Sequence, residues 1–140
     1  MGHDYIDIGT SHLRLNDFHI WTLHHFFCDA IATSTPESFG TDADTFNALQ
    51  KYLESWEWLG PGIVTGCDFN SFATTPSRLN LLRTLISATR ERLTRFGDAI
   101  PLSYLDDHVN SSMAYYLAPQ PTATFTDIID RLLALISQDG

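Results

Sequence analysis

Four stretches of this chain carry apolar residues at spacings of three and four, and that period allows little besides packed helices. The clearest is "TDADTFNALQKYLESWEWLGPG", where Phe46, Leu49, Tyr52, Leu53, Trp56 and Leu59 form one stripe. Thr41 with Asp44 resembles a capping box, and Gly60-Pro61 stops the run, so a helix is expected over 42–59. Thr75-Pro76 opens another with proline in its first turn. Its inward positions are Leu79, Leu82, Leu85, Ile86, Leu93 and Phe96, and Gly97 ends it. In the last, over 125–137, Thr124 is the expected cap and Phe125, Ile128, Ile129, Leu132, Leu133 and Ile136 form the stripe.

The first stretch is "DFHIWTLHHFFCDAIA", with Asn16 or Asp17 as its cap, so a helix is expected over 17–32. On a helical wheel Ile20, Trp21, Leu23, Phe27, Cys28, Ile31 and Ala32 share one arc, with His24 at its middle. Phe18 and Phe26 fall outside it. A short helix is expected with Pro101 at the first position of its first turn, burying Leu102, Leu105 and Val109. At the start, "YIDIGTSHLRL" alternates Ile6 and Ile8, then Leu13 and Leu15, around a Gly-Thr-Ser turn, which fits a short hairpin. Other strand is not expected, beyond a short extended piece at Ile63-Val64. The fold class is thus mainly α: one domain over 1–140, a bundle of four to five helices with a short N-terminal hairpin. Trp56, Leu82, Leu93, Ile129 and Leu132 are expected among its most buried residues.

Charge narrows the partners. The 17 acidic and 8 basic residues give a net charge of -9. The helix over 76–96 holds five arginines and one glutamate, a local +4, so the rest of the chain carries -13. Such a field disfavours nucleic acid and anionic membranes as partners and attracts a basic protein. No apolar run approaches the ~18 residues that span a bilayer. The opening residues lack the basic and apolar regions of a secretory signal, and the two cysteines, Cys28 and Cys67, form no CxxC. A cytoplasmic protein with reduced thiols is expected.

The motifs for chemistry are weak. His19, His24 and His25 are spaced by five and one, whereas a metal held from one helix asks for three or four. His19 and His24 lie ~140° apart on the wheel. His24 therefore reads as a core histidine satisfied by a backbone carbonyl or a tyrosine. In "YLDDHVN" the neighbours Asp106, Asp107 and His108 diverge around a helix and read as a solvated face or a contact surface. No GxSxG is present, Cys28 is expected buried, and Asp68 beside Cys67 raises rather than lowers a thiol pKa. The glycines near residue 60 are too dispersed for a phosphate loop, and no Lys-Ser or Lys-Thr follows. No catalytic residue, metal ligand or cofactor is therefore assigned.

The aromatics suit binding better. Trp58 and Phe26 stand off their stripes, and Phe69, Tyr115 and Tyr116 lie in loops, as anchors at a protein interface do. The expected contact surface combines Trp58, Asp68, Phe69 and Asn70 with Asp106 and Asp107. The stretches "LRLNDFHIWTLHHFF" and "FGDAIPLSYLDDHVN", under a third of the chain, together with its small, acidic, helical character, resemble bacterial immunity proteins. The similarity is to those that neutralise the toxin domains of contact-dependent growth inhibition systems. That resemblance implies a non-enzymatic inhibitor of a basic partner, often a nuclease toxin domain. It carries over no functional residue, because immunity proteins share no common fold. The alternative is a small metal-binding enzyme built around His24, His25, Asp29 and residues 106–108.

Overall fold

In the computed structural model, which describes residues 3–8, 11–58, 64–65, 68–112 and 114–139, the chain opens with the expected hairpin. Strands β1 (His3–Ile8) and β2 (Ser11–Asn16) pair antiparallel, with Ile6 opposite Leu13. Alternation puts Ile6, Ile8, Leu13 and Leu15 on the buried face and leaves Tyr5 exposed on the other. Asn16 ends the hairpin and caps the next element: its side chain accepts from the backbone N–H of Phe18 and of His19.

Helix α1 (Asp17–Ala32) has the expected bounds but not the expected face. Phe18 and Phe26, which the wheel left outside, are buried. Trp21 and Cys28 are half-buried, and Ala32 is exposed. The reason is that α1 is covered from several sides. It contacts the hairpin, α2 (Ala43–Glu54) and α3 (Pro76–Thr94). Tyr116 stacks on Phe18, with ring centroids 4.2 Å apart, and Tyr104 stacks on Phe26 at 5.8 Å. A central helix has no single inward stripe.

Helix α2 begins and ends differently from its sequence signals. Asp42, not Thr41, is the cap, accepting from the N–H and the hydroxyl of Thr45. The helix stops at Glu54, ahead of Gly60-Pro61. Trp56 lies beyond it, yet is buried against His24 and Phe69. The chain then enters β3 (Glu57–Trp58), which pairs with β4 (Val64–Thr65). A third antiparallel pair, with two residues per strand, joins β5 (Ala99–Ile100) to β6 (Gln120–Pro121). Strand is thus not confined to the N-terminal hairpin, and Ile63 lies outside the described residues.

Thr75 caps α3 with Pro76 in its first turn, as read from sequence. Gly97, at φ 78°, turns the chain out of that helix in a conformation that costs a side-chain-bearing residue about 1–2 kcal/mol. Helix α4 (Leu102–His108) has Pro101 at its cap rather than inside its first turn. Helix α5 (Thr122–Asp139) starts two residues before its expected cap, Thr124. Leu82, Leu93, Ile129 and Leu132 are fully buried, and one contiguous core joins the hairpin to all five helices. The α3 arginines tie the bundle together: Arg90 grips Asp130 of α5 through two bonds of 2.7 and 3.2 Å, and Arg92 lies 3.6 Å from Asp29 of α1. Exposed pairs of this kind contribute at most about 1 kcal/mol each. No helix among the described residues is long and apolar enough to cross a membrane.

Candidate functional site

The residues richest in possible chemistry converge where α1 meets α4. Trp21, His24, His25 and Cys28 of α1 and His108 of α4 line a small pocket of about 250 Å³. His24 is half-buried, and its Nε2 donates to the Leu53 carbonyl at 2.7 Å, so Nε2 carries the proton of the neutral ring. A backbone carbonyl is one of the two partners the sequence suggested. The ring stacks on Trp56, with centroids 5.2 Å apart. Burial pushes its pKa below the usual histidine value, and the Leu53 bond opposes that only in part.

His25 is held differently. Its Nε2 bonds the Tyr104 hydroxyl at 2.9 Å, and the His108 ring packs on the same tyrosine at 4.4 Å. Burial again depresses the imidazole; Asp29 works against that, while His108 and His24 add to it. Burial pushes the Tyr104 hydroxyl up to about 12, so it stays protonated. The Cys28 thiol is driven up to about 11 by burial and then by Glu54. Cys28 is thus a poor nucleophile despite a sulfur only 3.5 Å from His24 Nε2. No group of three or more metal-ligating side chains among the described residues could hold an ion. Of the pocket's imidazoles, His24 and His25 are packed and hydrogen-bonded, and burial disfavours their charged forms.

The expected contact surface divides. Asp68 caps a short 3-10 turn, Phe69–Ser71, accepting from the Asn70 N–H at 2.8 Å and the Ser71 hydroxyl at 3.2 Å. Its carbonyl accepts from the Tyr52 hydroxyl. That turn drives Phe69 inward, where it is fully buried against Phe27 and Trp56. Phe69 is therefore a core residue and not a contact residue. Asn70 is exposed and Asp68 half-buried. The side chain of Trp58 and all of Cys67 lie outside the described residues. Asp106 and Asp107 are exposed on α4, with Asp106 Oδ1 accepting from Asn110 Nδ2 at 2.8 Å.

Beside Asp106 the structure fixes a loop that sequence reasoning left as a connection. Asn110 binds Tyr116 at both ends of its backbone: Oδ1 accepts from its N–H at 2.7 Å, and Nδ2 donates to its carbonyl at 3.1 Å. The Thr22 and Tyr116 hydroxyls share a hydrogen bond of 2.8 Å beside the Phe18 carbonyl, which lies 2.8 Å from Thr22 Oγ1 and 3.5 Å from the Tyr116 hydroxyl. Burial pushes that phenol up to about 12, which keeps the proton in place. With Tyr116 pinned inward, its neighbours Tyr115 and Leu117 project outward, 58% and 82% exposed. The signal for this was available: two tyrosines and a leucine in succession, in a stretch otherwise rich in serine and proline.

No family model, curated protein or solved structure matches this chain.

Proposed function

We propose that this protein acts by binding: it is a non-enzymatic immunity protein that covers the basic surface of a nuclease toxin domain in the cytoplasm. One observation carries the reading. From residue 96 to residue 130 the chain has five aspartates and neither lysine nor arginine, and two of those aspartates, Asp106 and Asp107, stand exposed on α4. Asp130 is paired with Arg90, but exposed acids such as Asp106 and Asp107 steer an oppositely charged protein and disfavour nucleic acid. Blocking by cover asks for no catalytic group, and the raised Cys28 pKa and the engaged ring nitrogens of His24 and His25 agree with that.

The runner-up, a small His/Asp-dependent metal enzyme, draws on the pocket shared by His24, His25, Cys28 and His108. Metal analysis of the purified protein separates the two. The direct test mixes the protein with the purified toxin domain encoded beside its gene. A stoichiometric complex that abolishes nuclease activity is expected. A toxin that stays active and unbound overturns the reading, as does substrate turnover that disappears in His25→Ala.

A further inference from the structure

Three large apolar side chains among the described residues are exposed, and two of them, Tyr115 and Leu117, flank the single pinned residue Tyr116. They edge an open groove of about 520 Å³ whose other walls include Leu102, Asp106 and Asn110. Exposed apolar surface that is already ordered is what an interface uses, because a partner need not bear the entropy of fixing it. The ordering is specific: Asn110 holds the Tyr116 backbone, and the Tyr116 ring stacks on Phe18 of α1. The groove is open along its length, which suits an extended chain better than an enclosed small molecule.

We propose that this groove, between α4 and residues 111–112 and 115–117, docks an extended basic segment of a partner protein, with an arginine or lysine beside Asp106 and an apolar side chain against Tyr115 and Leu117. Charge selects that occupant. Asp106 lines the groove, and no lysine or arginine occurs between Arg95 and Arg131, so an incoming cation meets no like charge from this stretch. A guanidinium can bond the Asp106 carboxylate while stacking on the Tyr115 ring. A second copy of the chain is disfavoured as occupant by its own net charge of -9. The proposal moves the contact surface away from residues 68–70, and it rests on the binding reading above only for the identity of the partner.

The probe is a synthetic peptide of alternating arginine and leucine, with alternating glutamate and leucine as its control. Titrated into the isotopically labelled protein, the basic peptide should shift the amides of Leu102, Asp106, Asn110, Tyr116 and Leu117 and saturate. The acidic peptide should not. Replacing both Tyr115 and Leu117 with alanine should weaken binding by about ten-fold or more. Tyr5→Ala, at the other exposed aromatic, should leave it unchanged. Shifts centred elsewhere, equal binding of the acidic peptide, or full binding by the double variant each overturn the groove. Self-association of the protein that the double variant abolishes does so too, by making a second copy the occupant. If the neighbouring toxin is blocked equally well by the double variant, the groove fails and the immunity reading stands. If the peptide binds as described while the toxin is ignored, the immunity reading fails and the groove stands.

Discussion

His24 joins three parts of the molecule: it lies on α1, donates to the carbonyl of Leu53 at the end of α2, and stacks on Trp56 beyond that helix. Truncating it removes packing and one hydrogen bond to the Leu53 carbonyl, which also accepts from the Trp56 N–H. His24→Ala should therefore destabilise folding by about 1–3 kcal/mol, read as a lower urea midpoint with an unchanged slope. A second expectation concerns acid. The folded-state pKa of both His24 and His25 is lowered, chiefly by burial. As pH falls through the ordinary histidine value of about 6.5, the unfolded chain takes up protons that the folded protein refuses. Stability should decline from there down to the folded pKa values and then level off as far as these groups contribute. Melting temperatures between pH 7.5 and pH 5.5 check this, and a His24→Phe, His25→Phe variant should flatten the profile. The carbonyl partner of His24 was legible, but not its half-burial: the arc that placed it at its middle also held Trp21 and Cys28, which are half-buried as well. Phe69 was misjudged because a loop phenylalanine reads alike whether it points in or out. Only the Asp68-capped turn, whose closing bonds are local, sends it into contact with Trp56, a residue thirteen positions earlier.

The same contrast holds between elements. The bounds of α1 and the start of α3 were legible because Asn16 and Thr75-Pro76 are local signals with local effects. The end of α2 was not: the helix yields at Ser55 to burial of Trp56 and to the pairing of Glu57–Trp58 with Val64–Thr65, which helical periodicity cannot report. The face of α1 failed for a related reason, since Tyr104 and Tyr116, nearly eighty or more residues away, cover its far side. The link between α4 and the loop that follows it depends on one side chain, Asn110, whose three hydrogen bonds join Asp106 to the Tyr116 backbone. Asn110→Ala should cost about 1–2 kcal/mol and speed hydrogen exchange at the Tyr116 amide, while the amides of α3 keep their protection. Asn110→Asp keeps the acceptor for the Tyr116 N–H but loses both donated bonds and sets a second carboxylate against Asp106, so it should rescue little. Unchanged exchange at Tyr116 in Asn110→Ala would show that the Tyr116 ring alone fixes the loop.

For the molecule as a whole, charge and apolar contact have separable effects. The arginines of α3 are partly spent on Asp29 and Asp130, so the cationic helix is tied into the bundle, while Asp106 and Asp107 stay exposed in a stretch, 96 to 130, that has no lysine or arginine of its own. Such a field acts at a distance and raises the rate of encounter, whereas side chains in contact set how long a complex lasts. Association with a basic partner should therefore slow as salt rises past ~0.15 M, where screening shortens to ~8 Å, while dissociation changes little. Reversing Asp106 and Asp107 to lysine should lower the association rate and flatten its dependence on salt. Both side chains are exposed, so the cost to folding should be confined to the lost Asp106–Asn110 hydrogen bond, about 0.5–1.5 kcal/mol. Truncating Tyr115 and Leu117 should do the opposite, leaving the association rate and its salt slope in place and raising the dissociation rate. Stopped-flow binding to the neighbouring toxin domain at several salt concentrations measures both. If charge reversal acts on dissociation alone, Asp106 and Asp107 sit inside a desolvated contact instead of steering from its rim, and the partner's cation must be bound directly by α4.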